Sequence, residues 1–171
     1  MRRWPALALV VALLSGCGGG GGGGPAPAAP AAEESPGEAS PLEGMWVGGE
    51  VTEDELVTGG LTKKEAGVVF QANEATSTMV TTLRLSGDSW QSFVSADGGP
   101  DVHAQFGTFT VEGDLIRMVD ELGANYTYRY ELDDDVLAIE LIETDAGPSN
   151  GIRDEAFQYA HYEAEPFERQ P

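Results

Sequence analysis

Cysteine is almost missing from this chain: Cys17 is its only one in 171 residues. A single thiol excludes an internal disulfide and with it the small disulfide-stapled folds. Histidine is nearly as scarce. His103 and His161 stand alone and far apart, which excludes ligand-spaced clusters of the His-Glu-x-x-His kind, so no metal site and no cofactor is expected. Basic side chains are few, nine Lys and Arg against 29 Asp and Glu, for a formal net charge of −20. Nucleic acid and anionic lipid headgroups repel a polyanion and reward clustered Lys and Arg, so neither is an expected partner. The acids are scattered, the longest run being Asp133-Asp134-Asp135, and read as a solubilising surface. Long apolar runs are lacking too. The stretch Ala6 to Leu14 is too short to span a bilayer.

That stretch follows Met1-Arg2-Arg3 and runs into Leu14-Ser15-Gly16-Cys17. A positive start, a short apolar core and small residues before a cysteine resemble the signal segment and lipobox of bacterial lipoproteins. The resemblance implies that residues 1–16 are a signal peptide that is removed. Cys17 would then carry the lipid anchor, with acyl chains such as palmitate, and the protein would sit in the cell envelope, attached to the membrane. An acylated Cys17 leaves no thiol for catalysis, and loss of Arg2 and Arg3 takes the formal charge to about −22. Gly18, where an aspartate commonly retains such proteins in the inner membrane, implies sorting to the outer membrane in a cell that has two.

Residues 17–41 cannot build a core. Gly18 to Gly24 is unbroken glycine, and Pro25 to Pro41 holds no aromatic residue and no apolar side chain larger than alanine. Glycine gives a flexible coil and the proline-rich half stiffens toward polyproline II, so a disordered tether is expected, reaching several tens of ångströms.

From Leu42 to Pro171 the pattern is β. Tyr126, Tyr128, Tyr130 and Leu132 alternate with Asn125, Thr127, Arg129 and Glu131, the period of a strand with one apolar face. Gly87-Asp88, Gly113-Asp114 and Asp133-Asp134-Asp135 each separate two apolar runs, as the reversal of a β-hairpin requires. Strands are expected near 45–52, 66–72, 76–85, 90–95, 104–112, 115–120, 125–132 and 136–143, with one or two more between 155 and 169. Thr52 to Lys64 is the single helical candidate; Thr52-Glu53-Asp54-Glu55 resembles a capped start, but Gly59-Gly60 interrupts it and a loop fits equally. Eight to ten antiparallel strands joined by short turns favour an all-β, up-and-down barrel, whose closure removes exposed edges.

Leu42-Glu43-Gly44-Met45-Trp46 matches a Gly-x-Trp opening, Gly107-Thr108-Phe109-Thr110-Val111-Glu112-Gly113-Asp114 a recurrent hairpin, and Phe167-Glu168-Arg169 a closing strand. In these the chain resembles the lipocalin-like domains of the calycin group. The resemblance implies a barrel over residues 42–169, closed at its narrow end by Trp46 with Arg169 packed across its face. An ordinary core tryptophan predicts similar burial.

No motif carries catalysis. No Gly-x-Ser-x-Gly elbow is present, and carboxylate pairs arise by chance among so many acids. Asp97-Gly98-Gly99-Pro100-Asp101 and the Asp133 triplet do not match a calcium loop and read as turns. The tyrosine row is the notable feature. A sealed core favours Leu or Phe, whereas buried tyrosines need hydroxyl partners, so Tyr126, Tyr128 and Tyr130 are the candidate pocket, with Trp90, Phe106 and Phe109 as further lining. Tyrosines at the barrel rim with hydroxyls in water are the competing reading. The expected function is non-enzymatic binding of a small apolar ligand or a protein partner. The alternative is a filled barrel acting as an assembly accessory of an envelope complex.

Overall fold

The computed structural model describes residues 40–171. The signal segment, Cys17 and most of the tether lie outside the described residues. Eight antiparallel strands follow one another round a closed barrel in sequence order. They are β1 (Gly44–Gly48), β2 (Met79–Ser86), β3 (Ser89–Ala96), β4 (Val102–Glu112), β5 (Leu115–Asp120), β6 (Asn125–Asp133), β7 (Val136–Thr144) and β8 (Phe167–Gln170). The fold is therefore an all-β, up-and-down barrel, the architecture of a calycin-like domain.

One end is built from tight reversals. Gly87 and Gly113 take φ of 60° and 65°, and Asp134 takes 51°, the left-handed geometry that two-residue hairpins demand. Alternation then places Trp46, Leu83, Leu85, Trp90, Phe109, Ile116, Met118, Tyr128 and Leu137 inside, where they form one packed cluster. At this end the Arg169 guanidinium carbon lies 4.2 Å from the centre of the Trp46 ring. Its Nη1 and Nη2 donate to the carbonyls of Glu43 and Pro41 at 2.7 and 2.6 Å.

The other end carries helices, and here the sequence reading needs correction. The expected strand over 66–72 is instead α2 (Lys63–Ala72), preceded by α1 (Glu53–Thr58). Each opens on a capping box: Thr52 with Glu55, then Thr62 with Glu65. Val68, Val69 and Phe70 look strand-like, yet Ala66, Val69 and Phe70 are buried at helical spacing. The segment 155–169 holds one strand, β8; before it come α3 (Asp154–Gln158) and a π-helical turn, Tyr159–Glu163. Ile152, Ala156 and Ala160, four residues apart, pack with Val51, Leu56 and Phe70 in a second cluster over the barrel end.

Gly107 on β4 lies between Trp90 of β3 and Asp120 of β5. A Cβ there would collide with the Val119 carbonyl and crowd the Trp90 indole nitrogen, whereas one on Gly59 would meet only the tip of Tyr159. Backbone cannot yield as a side-chain tip can. Gly107→Ala is expected to cost about 3 kcal/mol or more in urea denaturation, and Gly59→Ala less than about 1 kcal/mol.

Candidate functional site

A cleft of about 450 Å³ opens at the helix-covered end, between the C-terminal end of α2, the outer parts of β3 and β4, and the α3 and π-helical segment. Two backbone irregularities shape it. The β3–β4 register shifts at Ser92/Phe93, so that Ser92 pairs with Gln105 and Phe93 with His103; such bulges re-aim side chains beside functional sites. Opposite, the π-helical turn presents His161 and Tyr162, and π-turns concentrate at the same kind of place.

The lining is polar as well as aromatic. Ser92 is 1% exposed, and its Oγ lacks a partner in hydrogen-bonding geometry. The Tyr162 hydroxyl lies close enough to Ser92 to feel its side chain, and donates to Gln105 Oε1 at 3.4 Å. Asn73 Nδ2 donates to the Val69 carbonyl at 2.9 Å, which fixes its amide, and also faces His161 Nε2 at 3.4 Å. His161 Nδ1 lies 3.2 Å from Thr81 Oγ1. The neutral tautomer with its proton on Nδ1 satisfies both contacts. A second proton on Nε2 would confront the Asn73 amide hydrogens. Loss of solvent lowers the His161 pKa to about 4.

From the cleft wall a buried polar chain runs inward. The Tyr128 hydroxyl donates to Gln158 Oε1 at 2.6 Å, and Gln158 Nε2 donates to Asp154 Oδ2 at 3.2 Å. Tyr126 donates to Asp120 Oδ2 at 3.2 Å. Desolvation, reinforced by nearby carboxylates, pushes both tyrosine hydroxyls well above their usual range.

The residues singled out in the sequence are thus dispersed. Tyr126 and Tyr128 are buried inside the barrel with their hydroxyls paired, their rings 6.3 Å apart. Tyr130 is half-buried near the tight-turn end and donates to the Gly113 carbonyl at 3.1 Å. Trp90 and Phe109 belong to the packed interior. Phe106 is 47% exposed, beside the His103 ring. Asp97, in the loop read as a turn, uses its carboxylate to accept from Thr76, Ser77 and Thr78. Sequence reasoning missed Ser92, Asp154, Gln158 and the cleft role of His161. A signal for the last three existed in the four-residue spacing of Ile152, Ala156 and Ala160, which marks a helix across that segment.

Fold and cleft together define a closed antiparallel barrel with a polar pocket at its helix-covered end. Compared with known proteins, the chain matches no family model, no curated protein and no solved structure.

His161 has a thermodynamic consequence. Its pKa falls from 6.5 to about 4 on folding, so as pH drops through that interval the unfolded chain takes up the proton first and stability is lost. Burial raises Asp154 and Glu163, which act with the opposite sign. The difference between variants is therefore the readout. Urea midpoints of the native protein should fall more steeply than those of His161→Gln between about pH 6.5 and 4.5. Parallel curves would show that His161 does not titrate in this way.

Proposed function

We propose that this protein is a lipid-anchored envelope protein whose barrel binds a small molecule, without catalysis, in the cleft at its helix-covered end. The carrying observation is the cleft itself: about 450 Å³, within the size range of ligand sites, with buried polar atoms converging on it and the unpartnered Ser92 Oγ in its wall. Its lining moves the expected ligand from purely apolar to one that carries hydrogen-bonding groups. A binding role fits better than hydrolysis because both His161 nitrogens face Asn73 and Thr81, and neither faces Ser92. The anchor rests on the lipobox at Leu14 to Cys17.

The second reading, an accessory that docks on a larger envelope complex, draws on the packed barrel interior and on exposed Val102, Phe106 and Leu122. Native mass spectrometry of the full-length protein, extracted from its own host in mild detergent, separates the two. A small-molecule mass released on denaturation supports the binder, and an associated protein with a ligand-free barrel supports the accessory. Cys17→Ala should abolish acylation and leave the precursor unprocessed; continued acylation of that variant would refute the anchor.

A further inference from the structure

Two aspartates near the helix-covered end are buried to almost the same degree, but their surroundings differ. Asp120, 9% exposed, accepts from three donors: the backbone nitrogens of Leu122 and Ala124 at 2.9 and 2.8 Å, and the Tyr126 hydroxyl at 3.2 Å. Asp154, 8% exposed, accepts from one, Gln158 Nε2. Among the described residues no basic side chain forms an ion pair with it. A carboxylate taken out of water is costly unless it is paired and hydrogen-bonded. Neither has a basic partner among the described residues, but Asp120 is compensated by three donors and Asp154 by only one.

Asp154 and Ser92 both line the cleft, Ser92 with a buried Oγ just behind its surface. Neither Lys nor Arg lines it, while Glu74 adds a second carboxylate. Glu121 and Glu163 lie near enough to act on the Tyr162 and Tyr128 hydroxyls. These carboxylates disfavour an anionic ligand. Part of the wall is aromatic, with the Phe157 and His161 rings stacked 6.5 Å apart and 6° from parallel, and Tyr162 next to them. Such faces attract a cation's charge as well as its apolar body. The described residues contain no group of three or more His, Cys, Asp or Glu arranged for a metal ion, and the aromatic faces suit an organic cation.

We propose that the cleft binds a small organic amine whose ammonium group pairs with the Asp154 carboxylate while its body lies along Phe157, His161 and Tyr162, with Ser92 Oγ as an added hydrogen-bond partner. The inference rests on the reading of the cleft as the binding site and names the chemistry it selects. Pairing compensates two desolvation costs together. The ammonium favours ionised Asp154, whose pKa burial raises, and the carboxylate repays the ammonium's lost water.

The test uses 2-phenylethylamine, 2-phenylethanol and phenylacetate, which share a ring and differ in terminal charge, titrated into the full-length protein and followed by NMR shifts of cleft residues. The amine should bind at least about tenfold more tightly than the alcohol, with phenylacetate weakest. Asp154→Asn should remove the preference of amine over alcohol, and Ser92→Ala should weaken the amine while leaving the preference in place. Equal binding of amine and alcohol, or a preference that survives Asp154→Asn, would overturn the amine assignment and leave the cleft as a binding site. If none of the three moves cleft resonances, the amine assignment fails. Release of an uncharged molecule in the mass-spectrometric experiment would then preserve the broader reading, and a ligand-free protein there would remove both. Should Asp154→Asn fail to fold, the ordering of the three probes on the native protein still decides.

Discussion

Closure of the barrel depends on Arg169. Strand β8 is the weakest seam, pairing with β7 through only Val136↔Glu168 and Leu137↔Phe167, and with β1 through four residue pairs. Arg169 supplements this short ladder from both sides. Its backbone nitrogen donates to the Asp135 carbonyl in the β6–β7 turn, and its side chain holds the chain entering β1 by the carbonyls of Pro41 and Glu43. Hydrogen bonds from a charged donor contribute about 1.5–3 kcal/mol each, and a partly desolvated cation–π contact up to about 2 kcal/mol. The 3.2 Å ion pair with Asp135 is largely solvent-exposed and contributes little beside these. The seam is therefore held by two carbonyls and an indole ring, more than by charge against charge. Trp46 is fixed in turn, its indole nitrogen donating to the Leu42 carbonyl at 2.8 Å. One side chain thus unites the entry of the chain, its last strand and a central hairpin.

With that end closed and packed, the opposite end is free to differ. The tight hairpins lie at the sealed end, while two connections at the other end, β1 to β2 and β7 to β8, are long enough to carry helices. The helices α1, α2 and α3 supply a second apolar cluster that caps the barrel. A cap made from separate segments leaves gaps where they meet, and the cleft occupies one between the end of α2, the β3–β4 wall and the π-helical turn. The bulge at Ser92/Phe93 and the π-turn both give up regular pairing along its walls. In return they set Gln105, His161 and Tyr162 around one volume.

Much of the barrel is legible in the sequence because its signals are local. The three reversals follow from the Gly-Asp and Asp-Asp residues that accept positive φ, and the Tyr126 to Leu132 alternation fixes which face of β6 turns inward. The first helix, α1, falls inside the helical candidate Thr52 to Lys64, whereas α2 is hidden by the residues that fill it. Val68-Val69-Phe70 carries strand propensity, and tertiary packing against the barrel end overrides it. The second capping box, Thr62 with Glu65, was the local sign that favoured a helix. The cleft was less legible still. Ser92 is one of four polar residues in β3, Ser89, Gln91, Ser92 and Ser95, and it sits at a bulge that no turn residue announces. Asp154 is one acid among 29, distinguished only by burial with a single hydrogen-bond donor.

Stability and selectivity are consequently divided between the two ends. At the sealed end the indole nitrogens of Trp46 and Trp90 both find carbonyl acceptors, and the apolar side chains pack as one cluster. At the open end a serine hydroxyl goes unpaired, a histidine is held neutral by desolvation, and a carboxylate is buried with one donor. The hydroxyl and the carboxylate oppose folding, by about 1–3 kcal/mol for an unsatisfied buried polar group, and the histidine does so as pH falls below about 6.5. They are tolerated because the sealed end supplies stability independently of them. Polar groups left in want of partners around a preformed volume are the condition for selective binding, since a ligand that completes them gains what the fold forgoes. The tyrosine chain joins the two regimes. Tyr126 and Tyr128 stack within the apolar interior, and their hydroxyls face Asp120 and Gln158, so the packed half orients groups at the cleft wall and behind it.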